Sequence, residues 1–353
     1  MEKLKHFMMT LLLLLFISLP AEAADIKTSP DDMTIREKIG QMMFVTVAEK
    51  ELSPTEKKYL TEHNYGGVIL FAYNTESREQ VKKLTGDIQR GSDIPLFIAT
   101  DEEGGYVSHL SDVVAAHPSQ EKIGRTGDRA EASRWATVTA RELKALGLNM
   151  NLAPVADLGT GNERSFGKNP DMVADMVRAS IGAYSQEGLL CCLKHYPGLG
   201  RAVTDTHKDT AVVNDSQETI YRTDMIPFAV ATYYEDDDRY LIMVSHATYT
   251  AFDDQPADFS PVLVEKILRQ DMRYDGIIVT DDLGMGAIGK HYTAGEAAVK
   301  AIKAGVDMVM VCHSQEKQEE VYEAILAAIE SGELTEERID ESIERILRVK
   351  SKI

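Results

Sequence analysis

Residues 194 to 207 read KHYPGLGRAVTDTH, so Lys194, His195, Asp205 and His207 fall within one short stretch, with Pro197, Gly198 and Gly200 between them. Three chemistries use such residues. His195, His207, His246 and Asp281 could ligate a divalent ion in a metal-dependent hydrolase, although no H-x-H or H-E-x-x-H occurs to support that set. A Ser-His-Asp hydrolase needs a G-x-S-x-G elbow, which is absent. Glycoside cleavage needs a carboxylate at the anomeric carbon and an acid for the leaving oxygen. Asp281 suits the first role. His207 suits the second, with Asp205 two positions away to orient the imidazole and raise its pKa. A neutral His repels an incoming anion less than a carboxylate would, so phosphorolysis is a variant of the same chemistry.

These residues are far apart in the chain, so the fold must gather them. Eight short apolar runs occupy 42–47, 67–73, 95–100, 149–155, 191–196, 241–247, 276–282 and 307–312. Most are continuous rather than alternating, as strands buried on both faces are. Helical patterns lie between them: one starting at Ser53-Pro54, then about 76–90, 129–146, 171–188, 216–232, 261–272, 294–304 and 315–330, with a last at 336–350. Alternating strands and helices imply parallel βαβ units. The count and size predict an α/β fold, a single-domain (β/α)8 TIM barrel. An open doubly wound sheet is the alternative, but no G-x-G-x-x-G follows the first run.

Barrel enzymes carry their chemistry at the C-terminal ends of strands. There the sequence puts Asp101, Glu102 and Glu103, then Asp157 and Arg164, Lys194 and His195, Ser245 and His246, and Asp281 and Asp282. Taken singly, each has a plainer reading. Asp282 can be a helix N-cap, Arg164 a surface ion-pair partner and His246 a hydrogen-bonded core histidine. Their joint appearance at consecutive strand ends favours a site.

The first 23 residues have Lys3 and Lys5, an apolar stretch from Phe7 to Leu19, and Ala21-Glu22-Ala23. This pattern predicts a cleaved signal peptide, an exported protein in periplasm or medium, and a catalytic domain over 24–353. The apolar stretch is short for a membrane span and no Cys precedes Cys191, so neither a spanning nor a lipid anchor is expected. The net charge of −19 disfavours nucleic acid and anionic membrane surfaces as partners. Three Cys, at 191, 192 and 312, are too few for a disulfide scaffold and read as core thiols. The sequence does not fix the oligomeric state.

Five segments carry a family resemblance. KHYPGLGRAVTDTH resembles the K-H-F-P-G-H-G…D-S-H segment of bacterial β-N-acetylhexosaminidases in glycoside hydrolase family 3. TDEEGGYV, NERSFG, GIIVTDDLGMGAI and AGVDMVMVC resemble that family's other motifs in the same order, from about residue 34 to 350. The resemblance implies a retaining mechanism with Asp281 as nucleophile, His207 as acid then base, and Asp205 as its dyad partner. It implies that Asp101, Arg164, Lys194 and His195 hold the hydroxyls of a terminal β-linked N-acetylglucosamine, with no cofactor or metal. It points to cell-wall fragments or amino-sugar glycans as substrate, with a β-glucosidase-like or metal-dependent hydrolase as the alternative. Three positions depart from the family: Leu199 replaces its second His, and Tyr106 and His109 replace Arg.

Overall fold

Eight parallel strands close into a barrel: β1 (Met43–Thr46), β2 (Gly67–Leu70), β3 (Phe97–Thr100), β4 (Met150–Asn151), β5 (Leu190–Tyr196), β6 (Tyr240–Val244), β7 (Ile278–Asp282) and β8 (Met308–Val311). Each pairs with its neighbours in sequence, and β8 closes on β1 with Met43 opposite Val309. This computed structural model describes residue 27 and residues 29–92, 94–202, 206 and 209–353. The expected signal peptide lies outside the described residues. Among them, no helix is long and apolar enough to cross a membrane.

The strands form where the apolar runs predict, because helices cover their outer faces while their inner side chains fill the barrel. β2, β3 and β8 are buried along their whole length. The approach of β2 to β1 requires a glycine: a Cβ on Gly67 would lie 2.2 Å from the Phe44 ring. Capping fixes the helices between strands. Ser53 and Glu56 form a capping box on Pro54–His63, and Thr293 and Glu296 do so on Ala294–Lys303. Arg129–Ala145 and Glu336–Lys350 start at Asp128 and Thr335, whose side chains accept backbone N–H groups.

The differences from the expected pattern include three among the helices. The helix expected at 216–232 is two, Gln217–Arg222 and Ile226–Tyr234. Pro227 lies in the first turn of the second, where its missing N–H costs nothing, whereas within one continuous helix it would break the ladder. The segment Val262–Asp271 is wound as a π-helix, with the amides of Glu265 and Lys266 both donating to the Pro261 carbonyl at 3.0 Å. A short helix, Ile35–Gln41, precedes β1 and has no counterpart among the expected elements.

The end of the barrel opposite the strand C-termini is closed by polar groups that serve the fold. Lys350 is buried there, donating to Gln41 Oε1 (2.7 Å) and the Gly66 carbonyl (2.8 Å). Asp307 is held by Arg269 and Arg345 and accepts the Ile278 amide. The strand C-termini open instead on a cavity of about 770 Å³.

Candidate active site

One wall of the cavity is a cluster of four charged groups. Asp101 and Glu103 follow β3, Lys194 is on β5, and Arg164 is in the loop after β4. The Glu103 carboxylate is almost wholly buried and takes a fork from Arg164, with Nε and Nη2 donating at 2.8 Å each. Lys194 Nζ donates to Glu103 at 2.7 Å and also to Asp101. Burial works to raise the Glu103 pKa, but Lys194 and Arg164 outweigh it and hold it down to about 2. Arg164 is therefore no surface ion-pair partner. The cluster balances two positive against two negative charges, so it can present fixed donors and acceptors to sugar hydroxyls without a net buried charge.

His195 completes this wall. Its Nδ1 lies 2.7 Å from Asp157 Oδ2, and its amide donates to Asp157 Oδ1 at 3.1 Å. The same Oδ1 accepts the Leu199 amide at 2.7 Å, which ties the following turn to β5. Burial opposes ionisation of Asp157, but His195 and these amides hold its pKa below the ordinary carboxylate range. An ionised Asp157 fixes a proton on Nδ1 and with it the orientation of the ring.

Asp281, near the end of β7, lines the same cavity and accepts the Asp282 amide at 2.9 Å. Burial raises its pKa, but His195, His246, that amide and Lys194 together keep it below the ordinary range. The result is an ionised carboxylate in a sheltered place, the state a nucleophile needs. His246 contributes from behind. It is fully buried, with Nδ1 2.9 Å from Asp258 Oδ2 and Nε2 2.9 Å from the Asp282 carbonyl. Burial lowers its pKa, yet Asp258 and Asp281 raise it to about 9, so it stands as a cation beside Asp281. Both ring nitrogens are taken, which matches the core-histidine reading and removes His246 from the metal-ligand set. Among the described residues, no group of three His, Cys, Asp or Glu is placed to hold a metal ion. Asp282 is no helix N-cap. Its carboxylate accepts the amides of Gly284 and Cys312, both at 3.1 Å.

A family model described as glycosyl hydrolase family 3 N terminal domain matches residues 34–349. The chain belongs to glycosyl hydrolase family 3. A relative named beta-hexosaminidase from Stenotrophomonas maltophilia (strain K279a) is 34% identical over 286 residues, covering 78% of this chain and 84% of that protein. The family 3 beta-N-acetylglucosaminidase structure from Paenibacillus sp. str. FPU-7 matches with a TM-score of 0.87 and 35% identity, over 91% of this chain and 62% of that one. The beta-N-acetylhexosaminidase structure from Beutenbergia cavernae DSM 12333 matches with a TM-score of 0.80 and 26% identity, over 91% of this chain and 99% of that one. The chain is thus a glycosidase that groups with β-hexosaminidases.

Within this family 3 barrel, Asp101, Arg164, Lys194, His195 and Asp281 all line one cavity. Asp205 and His207 lie outside the described residues. Thr206, between them in sequence, does line the cavity, and its carbonyl accepts the Ala287 amide at 3.0 Å. The departures Tyr106, His109 and Leu199 line it too. Glu103 and Asp157 are the functional residues that the sequence reading left without a role. The signal for both is their position just after β3 and β4. The thiols divide: Cys191 and Cys192 are core residues of β5, whereas Cys312 is only partly buried and faces the cavity.

Proposed function

We propose that this glycosidase is an exported, exo-acting β-N-acetylhexosaminidase that removes terminal N-acetylglucosamine with retention of configuration. The observation that carries the reading is Asp281. It is a carboxylate kept ionised on the cavity floor, across from the hydroxyl-binding cluster of Asp101, Arg164, Lys194 and His195.

In the first step a carboxylate oxygen of Asp281 bonds to the anomeric carbon. The bond from that carbon to the leaving oxygen breaks, and His207 gives that oxygen its proton. In the second step His207, now neutral, takes a proton from water, whose oxygen displaces Asp281. Asp205 orients the imidazole and stabilises its charged form. The motif match supports these two roles, and Thr206 in the cavity wall is consistent with them. Residues 24–353 form the catalytic domain in this reading. The segment 1–23 supports export, and cell-wall fragments or other amino-sugar glycans are the substrate class.

The test compares an aryl N-acetyl-β-glucosaminide with the matching β-glucoside, and follows the anomer first released. The expected result is preference for the acetamido sugar, a β product, and a covalent adduct on Asp281. Preference for the plain glucoside, an α product, or full activity in Asp281→Ala would overturn it. An added phosphate arm separates hydrolysis from phosphorolysis by the product formed.

A further inference from the structure

A second cavity, of about 510 Å³, opens at the rim between β1 and β8 and meets the catalytic one at Cys312, which lines both. Nothing in the proposed mechanism uses it. Its volume is that of a ligand site rather than a packing defect. Its position relative to the chemistry is informative. The hydroxyl-binding cluster lies on the β3, β4 and β5 side of the barrel, and the nucleophile is on β7. A terminal sugar held by that cluster with its anomeric carbon over Asp281 directs what lies beyond the reacting bond toward β8 and β1.

Two side chains there are fixed and unemployed. Tyr73 is 51% exposed, although it is one of the larger apolar side chains. Its ring stacks on Phe71 at 5.6 Å and 16°, and Phe71 itself lines the catalytic cavity. Its hydroxyl is 3.0 Å from Thr46 Oγ1. The ring is therefore held in place with a face left open, as a stacking surface for a sugar's C–H face requires. His313 is the second. Its Nδ1 lies 3.1 Å from Asp282 Oδ2, and its side chain is about half exposed on the cavity wall. Asp282 orients the ring and raises its pKa, leaving Nε2 to meet a hydroxyl.

We infer that this second cavity is the binding site for the leaving-group sugar, with Tyr73 as its stacking platform and His313 as a hydroxyl partner. The inference rests on the glycosidase reading above and adds a specificity to it: substrates with a saccharide leaving group are favoured over those with a small one.

The test uses two substrates with the same terminal sugar, N,N′-diacetylchitobiose and N-acetyl-β-glucosaminyl fluoride. Only the first has a sugar to place in the second cavity. Tyr73→Ala is expected to lower kcat/KM on the disaccharide about tenfold, the scale of one lost aromatic contact, and to leave the fluoride within about twofold. Tyr73→Phe keeps the ring and is expected to behave as the parent. The ratio of the two kcat/KM values is independent of how much of a variant is folded. An unchanged ratio in Tyr73→Ala would overturn the inference. It would indicate either no role for the cavity or a role in holding the N-acetyl group, which both substrates carry. If the parent enzyme turns over neither substrate, the proposed function itself fails and takes this inference with it.

Discussion

Replacing Glu103 by Gln is the sharpest probe of the charged cluster, because it removes one charge and little volume. Two arguments give its size. Holding the Glu103 pKa at about 2 rather than 4.5 corresponds, at about 1.4 kcal/mol for each pH unit, to roughly 3 kcal/mol of stability at neutral pH. Independently, breaking one side of a buried ion pair typically costs about 3–5 kcal/mol, because its partners are left uncompensated. Here Lys194 and Arg164 would retain only Asp101 as a nearby anion from the cluster. Glu103→Gln is therefore expected to lose about 3 kcal/mol in urea unfolding at pH 7. Because the folded pKa is depressed, the contribution is complete above pH 4.5 and fades as pH falls toward 2. The gap between parent and variant must narrow over the same range. KM should rise as well, since Lys194 and Arg164 lose the anion that positions them. A stability loss below about 1 kcal/mol, or an equal loss at pH 3 and pH 7, would refute the reasoning and indicate packing rather than charge.

Three further outcomes are expected. Asp157→Asn places an N–H donor where His195 Nδ1 now finds an acceptor, so the ring loses its set tautomer. Turnover should fall about 10²-fold, the scale of a misplaced binding group, and unchanged kcat would contradict it. His207→Ala should lose most kcat/KM on alkyl or sugar leaving groups and keep much more kcat/KM on an activated aryl leaving group, which departs without a proton, while kcat falls on both because the second step loses its base. Equal losses of kcat/KM on both would count against His207 as the acid. Glu102, buried beside Asp101 and Glu103 with its pKa raised to about 7, is protonated more readily folded than unfolded. The parent should therefore lose up to about 3 kcal/mol as pH rises from 4.5 to about 7, and Glu102→Gln, which cannot ionise, should show a flatter stability profile over that window.

Much of this protein is legible without coordinates. Parallel strands buried on both faces leave continuous apolar runs, so the eight strands and the barrel follow from sequence alone. Chemistry at the C-terminal ends of those strands then singles out Asp101, Lys194, His195 and Asp281. The break before Ile226–Tyr234 is legible in principle from Pro227. Pairings between distant residues are another matter. Arg164 reaches Glu103 across 61 positions, and His195 reaches Asp157 across 38. Whether Asp281 is ionised depends on the sum of burial against His195, His246 and Lys194, and that sum exists only once the barrel brings β5, β6 and β7 together. Residue types and local periodicity determined the scaffold and the candidate reactive groups, because those depend on neighbours in sequence. Protonation, orientation and the adjoining second cavity were decided by tertiary structure, because electrostatics and shape depend on neighbours in space.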